Sequence, residues 1–200
     1  MTLVQCDYRR HAQPILAIFN EAIVHSTALY DYKPRTTEKM VTWFENKRKG
    51  KFPVIGVENE AGELMGFASY GIFRAWPAYK YTVEHSVYVD GRFRGRGIGK
   101  RLLQEIVAAA QGQNYHVLVG CIDAANSTSI RLHEAAGFTY CGTIRCAPLV
   151  HEVRLAVGSV VHIPIRLLRR MVAAIRCPQA LGWAGRRASW SCRTRRTCRP

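Results

Sequence analysis

No run of about eighteen uncharged apolar residues occurs in this 200-residue chain, so no segment reads as a membrane-spanning helix. The first residues, Met1 to Gln13, lack the basic start, apolar core and small-residue cleavage site of a secretory signal. The seven cysteines form no Cys-x-x-Cys pair and are odd in number. Free thiols in a reducing cytoplasm are therefore expected, rather than a zinc site or a disulfide framework. Acids are also scarce, 14 Asp and Glu against 29 Lys and Arg, for a net charge of +15. Such an excess is a common sign of nucleic-acid or membrane binding, but its placement here argues against that. Residues 1–145 hold 18 Lys and Arg against 13 Asp and Glu, whereas residues 146–200 hold 11 arginines, no lysine and the single acid Glu152. Two thirds of the excess thus lies in the last quarter, and the rest of the chain is only mildly basic.

What is present alternates between two periods. Thr2 to Tyr8 alternates like a short strand. From Ala12 to Thr27 the apolar residues Ile15, Leu16, Phe19, Ile23 and Val24 recur at helical spacing and predict a core-facing stripe. A second helix is predicted from a cap at Thr36 to Gly50. Phe52 to Phe73 reads as two strands joined at Glu60-Ala61-Gly62, followed by an aromatic-rich loop. A strand over Val83–Val89, an amphipathic helix from Gly99, a buried strand over His116–Asp123, a helix closed by Gly137 and a strand over Phe138–Arg145 complete the pattern. This order predicts an α/β protein with a mixed sheet and helices around one core. It is not the regular βαβ alternation of a dinucleotide fold, and Gln111 to Tyr115 supply no acid for a ribose. A Walker sequence fails as well, because Gly99-Lys100 is followed by Arg101.

Between the strand and the amphipathic helix lies Val87–Leu103, with three glycines after Gly91 and four arginines in the segment. Successive amides in a glycine turn that opens a helix form a concave donor surface, and the helix terminus adds partial positive charge. Arg92, Arg94 and Arg96 would add long-range attraction for a pyrophosphate. On these residues alone a solvated basic turn is an equal reading.

Arg94-x-x-Gly97-x-Gly99, placed after His85–Val89, resembles the acetyl-CoA signature of the GCN5-related N-acetyltransferases. A second element, Asn126-x-x-Ser129-x-x-Leu132-His133-x-x-x-Gly137-Phe138, resembles the second CoA-contacting helix of that superfamily. Thr82–Val89, Ala68–Arg74 and Ala17–Ala28 are similar to the phosphinothricin and methionine sulfoximine acetyltransferase branch. The likeness runs from about Leu3 to Arg145.

It implies a central twisted, mostly antiparallel sheet flanked by helices, and acetyl-CoA as co-substrate with no metal. By this resemblance the pyrophosphate lies on the backbone of Arg94, Gly95, Arg96, Gly97, Ile98 and Gly99. The pantetheine arm bonds the backbone near Val87 and Val89, and Asn126 contacts it. Glu84 is implied as the base that takes a proton from the amine. His133 is implied as the acid for the departing thiolate, and Arg74 as a partner for an acidic group on the substrate. Phe73, Thr82 and Val83 join Glu84 in the implied acceptor site, with Phe19, Asn20 and Tyr79 as further lining candidates. The expected activity is acetyl transfer to the amine of a small amino acid or analogue by direct attack. A different amine, a CoA-binding protein inactivated by its altered ending, and a basic-tailed nucleic-acid binder stand as alternatives. A soluble homodimer is implied if the C-terminal strand is intact.

Residues 1–145 form the expected catalytic domain, and residues 146–200 depart from the resemblance. Four of the seven cysteines (Cys146, Cys177, Cys192, Cys198) crowd into this arginine-rich stretch. Such a composition is what a shifted reading frame gives, with the shift near residues 146–151. Alternatively, residues 163–177 form an amphipathic surface helix, or the last residues a basic arm. The alternation of Val153–Ile163 is compatible with a substitute last strand.

Overall fold

A computed structural model describes residues 1–159 except 27, 30, 32, 148 and 149, with backbone alone for 144–157 and 159. Seven strands of the described residues form one sheet: β1 (Thr2–Gln5), β2 (Val54–Glu58), β3 (Leu64–Ile72), β4 (Thr82–Val89), β5 (Val117–Asp123), β6 (Thr139–Ala147) and β7 (Val150–Ser159). Their spatial order is β1-β2-β3-β4-β5-β7-β6. Every neighbouring pair is antiparallel except β4 and β5. The strand expected from the alternation near residue 153 is thus present as β7, inserted between β5 and β6. The proposed boundary at residue 145 falls inside β6, and the sheet uses residues of both proposed segments. The helix and basic-arm readings of the tail lie outside the described residues.

Among the described residues four α-helices cover the sheet: α1 (Tyr8–His25), α2 (Thr37–Lys49), α3 (Ile98–Gly112) and α4 (Ser127–Ala135). One core lies under α3, where Leu102, Leu103 and Ile106 meet Val57, Ala68, Val83 and Leu118. The other lies under α1 and α2, where Ile15, Phe19 and Met40 meet Val54 and Phe67. The helices therefore sandwich the sheet, as the apolar faces demand.

Helix α1 begins four residues earlier than the spacing predicts and runs through Pro14. A proline inside a helix forfeits a backbone bond and costs about 3 kcal/mol. Compensation comes from Asp7, which caps the helix by accepting from the Arg10 amide at 2.9 Å, and from the buried Glu58, bonded by Arg10 at 2.8 Å and His11 at 3.1 Å. The inner face accordingly includes His11, Ala12, Ile18 and Ala22, while Val24 is exposed and not part of the core.

Candidate active site

Strands β4 and β5 begin side by side and then part. Their parallel ladder contains only Thr82–Val117, Val83–Leu118 and Glu84–Val119. Beyond it β4 continues along β3 to Val89, and β5 continues along β7 to Asp123. The facing edges of His85–Val89 and Gly120–Asp123 hence have no ladder partner in each other, and buried backbone groups left this way seek another. A cavity of about 220 Å³ fills the gap, lined by Glu84, Ser86, Val87, Cys121 and Asp123, and by Asn126, Ser129 and His133 from α4.

Glu84 stands at the point of divergence. Burial raises its proton affinity above the usual carboxylate range, against the lowering effect of a hydrogen bond from the Cys121 thiol and the charge of Arg74. Burial and the adjacent Glu84 push the Cys121 thiol up in turn, so it stays protonated and donates. A thiol held that way is a poor nucleophile, which favours direct attack over a covalent acetyl-cysteine.

Arg74 is brought within electrostatic reach of Glu84, and its guanidinium lies 5.6 Å from the Phe73 ring centre. Phe73 packs edge-on against Tyr79 at 5.7 Å. Thr82 shares the Glu84 face of β4 and is buried. Val83 points the other way: period-two alternation sends its side chain into the α3 core. It is a core residue rather than part of the acceptor lining. Asn20 is also placed differently from expectation, because its amide clamps the Arg35 backbone, accepting at 2.7 Å and donating at 3.1 Å. Phe19 is buried in the α1–α2 core.

The glycine turn is built as a donor surface. Gly95 and Gly97 both have φ of +78°, a left-handed conformation that side chains resist, and Gly97 caps α3 without a side-chain bond. The first turn of α3 contains no acid and its cap residue makes no side-chain hydrogen bond, so its first amides are left for another acceptor. The arginines are committed elsewhere. Arg92 bonds Asp90 and Glu63, both at 2.7 Å. Arg94 reaches back to Glu21 at 2.6 Å and to the Val89 carbonyl at 3.1 Å. The expectation of three arginines aimed at a pyrophosphate is thereby corrected for two of them; Arg96 lies over Phe93. What the turn offers an anion is mainly main-chain amides. Val87 and Val89 point their side chains toward the α3 core, leaving their backbone at the unpaired edge. A β-carbon at Gly97 would meet nothing within 4 Å, so Gly97→Ala carries backbone strain of about 1–2 kcal/mol without a clash. It should lower Tm by several degrees and raise the KM for acetyl-CoA about tenfold, measured by melting and by thiol release.

Asn126 caps α4 by accepting from the Ser129 amide at 3.0 Å and also lines the cavity. His133, on the same helix, is buried, and its Nδ1 lies 2.7 Å from the Ser129 carbonyl oxygen. That oxygen can only accept, so Nδ1 bears the proton in the neutral ring and Nε2 offers a lone pair. Burial holds the ring below its usual pKa. His133 is thus not set up as the proton donor that the resemblance implies: its Nδ1 proton is held by the Ser129 carbonyl and its Nε2 is buried without a partner among the described residues. The residue missed from sequence is His85, stacked on His133 at 5.1 Å and itself buried.

The acetyltransferase (GNAT) family profile matches residues 19–138, which span both faces of the β4–β5 gap. The chain belongs to this family. It is 39% identical over 128 residues to an L-methionine sulfoximine/L-methionine sulfone acetyltransferase of Pseudomonas aeruginosa, covering 64% of this chain and 74% of that protein. An N-acetyltransferase structure from Staphylococcus aureus Mu50 superposes with a TM-score of 0.76 at 37% identity, covering 80% of this chain and 98% of the other. A phosphinothricin acetyltransferase from Sinorhizobium meliloti in complex with acetyl-CoA superposes at 0.74 with 26% identity, covering 79% and 87%. This GNAT chain is an acetyl-CoA-dependent N-acetyltransferase acting on a small-molecule amine. Among the described residues there is no metal-binding cluster and no helix long and apolar enough to cross a membrane.

Proposed function

We propose that the acceptor is the α-amine of a small amino acid or analogue, of the methionine sulfone, methionine sulfoximine or phosphinothricin type. The carrying observation is Glu84, a carboxylate of raised proton affinity held where β4 and β5 part, with Arg74 beside it. An amino-acid ammonium must lose a proton before its nitrogen can attack. Glu84 takes that proton and the nitrogen bonds to the acetyl carbon; the carbon–sulfur bond then breaks as the surplus proton on the nitrogen passes to the departing sulfur, giving the N-acetyl product and CoA thiol. Unpaired amides on the β4 edge, at Val87 and Val89, supply donors for the thioester oxygen as negative charge develops there. The first-turn amides of α3 hold the pyrophosphate, with Asn126 at the pantetheine arm. Arg74 attracts the acceptor's acidic group.

The thiols of Cys6 and Cys121, which form no disulfide, accord with a cytoplasmic location. Strand β6, whose one neighbour among the described residues is β7, is the natural place for a homodimer contact. The testing experiment is thiol release from acetyl-CoA with methionine sulfone, methionine sulfoximine, phosphinothricin, a polyamine and a peptide amine. Turnover concentrated on the first three supports the reading. Preference for the polyamine or peptide overturns it.

A further inference from the structure

Lys47, on α2, is a partly buried cation with no counter-charge among the described residues. Its ammonium donates to the Tyr70 carbonyl at 2.7 Å and lies 5.2 Å from the ring centre of Trp43. No ion pair among the described residues includes it. The nearby Arg35 guanidinium already has its carboxylate, bonding Asp31 at 2.7 Å. Two cations and one anion therefore share this corner, leaving an excess positive charge in a poorly hydrated place. Burying an unpaired charge is costly unless something neutralises it.

The position of the ammonium shows what can reach it. Gly71 is the partner of Glu84 in the β3–β4 ladder, and a β-carbon built on Gly71 would come within 3.6 Å of Lys47 Nζ. Directly opposed residues share a face of the sheet. Lys47 hence stands one strand away from Glu84 on the same face, over a residue that has no side chain. A cavity of about 90 Å³ opens there between Lys47, Arg35, Trp43, Ser69 and Ser86. Ser86, two residues along β4 from Glu84, also lines the larger cavity that holds Glu84, so the two spaces adjoin.

We propose that Lys47, backed by Arg35, seats an oxyanion of the acceptor, a carboxylate or phosphinate, while the acceptor's amine faces Glu84. This rests on the reading of the acceptor as a small amino acid. Burial and the neighbouring Arg35 lower the Lys47 pKa to about 8, so the group remains mostly charged at pH 7 and would be stabilised by a bound anion. A bound oxyanion supplies the missing negative charge and accepts the N–H groups that Tyr70 leaves unused. Arg74 follows the end of β3 and acts on Glu84 from there, whereas Lys47 stands over Gly71, so the two cations are separate candidates for the acceptor's oxyanions.

The test compares Lys47→Met, Lys47→Gln and Lys47→Arg with wild type in thiol-release kinetics. Acceptors are methionine sulfone, its α-amide and phosphinothricin. Met keeps the apolar stem against Trp43, and Gln keeps a donor for the Tyr70 carbonyl, so one covers for the other if either fails to fold. Both should raise the KM of anionic acceptors about 10- to 100-fold with kcat changed little, and Arg should restore much of it. A loss on methionine sulfone but not on its amide assigns the seat to the α-carboxylate. A loss confined to phosphinothricin assigns it to the side-chain phosphinate. Equal loss on all three, the amide included, means that Lys47 only supports the fold and overturns the proposal. If wild type acetylates none of them, the acceptor reading fails. Calorimetric titration of phosphinothricin into the CoA-loaded protein then decides: binding abolished by both neutral variants keeps the seat, and absent or unaffected binding removes it.

Discussion

Glu84→Gln should lower kcat by about 10²- to 10⁴-fold, the usual share of a positioned general base, while leaving the protein at least as stable at pH 7.5. The two effects share one cause. Burial raises the folded-state proton affinity of Glu84. A carboxyl whose folded pKa is above its unfolded one contributes stability below the unfolded pKa, and that contribution is lost as pH rises through the folded pKa. At pH 7.5 the native state bears the cost of a desolvated carboxylate, and glutamine removes it. Chemical melts should therefore show an equal or higher midpoint for the variant at neutral pH, and a smaller advantage in acid. The same raised pKa places the acid limb of kcat/KM for wild type above the ordinary glutamate range, and this limb should vanish in the residual activity of Glu84→Gln. Wild-type kcat in the variant would remove Glu84 from the chemistry. A large loss of stability together with activity would make it a structural carboxylate.

The split between β4 and β5 was legible in sequence only through resemblance, because strand pairing over three residues and then none leaves no mark on local periodicity. The elements themselves were legible from composition: the hairpin at Gly62, the glycine turn before α3 and the Asn126 cap each follow from local backbone preferences. Even β7 could be read from alternation, in a stretch whose composition is otherwise foreign to the rest. The start of α1 was set late, at Ala12, because the apolar stripe that marks the helix begins only at Ile15. Only the long-range partner Glu58 reveals how the preceding turn is held.

Side-chain commitments were harder to read. Arg94 lies in the right motif, yet a residue 73 positions away, Glu21, takes its guanidinium. Lys47 sits in Asn46-Lys47-Arg48-Lys49, which reads as a solvated basic helix end. Its burial beside Gly71 depends on how α2 crosses the sheet. Cys121 read as one more apolar residue in a buried strand, and its bond to Glu84 depends on the strand register. Val83 came into the acceptor site through the resemblance, but period-two alternation sends its side chain to the face opposite Glu84.

His85 and His133 should make the fold acid-sensitive well above the range where carboxylates titrate. Burial foremost, then the neighbouring His133, lowers the His85 pKa to about 3, and burial lowers that of His133. Among the described residues, both ring nitrogens of His85 and Nε2 of His133 have no hydrogen-bond partner, so an added proton finds no acceptor there. For a group with a depressed folded pKa, the stability is fully present above the unfolded pKa, near 6.5, and is lost as pH falls toward the folded one. Each histidine can contribute a slope of about 1.4 kcal/mol per pH unit in that window. Asp7 and Asp90, held below the usual carboxylate range, are lost only in stronger acid, so they do not account for a decline beginning near pH 6. Glu84 acts with the opposite sign, since its folded form takes up a proton first, and it partly masks the histidine term. Urea midpoints between pH 7 and 4.5 should therefore fall more steeply in Glu84→Gln than in wild type. Adding His85→Leu to that variant should flatten the fall. An unchanged slope in the double variant would mean that the stacked pair is not what acid attacks first.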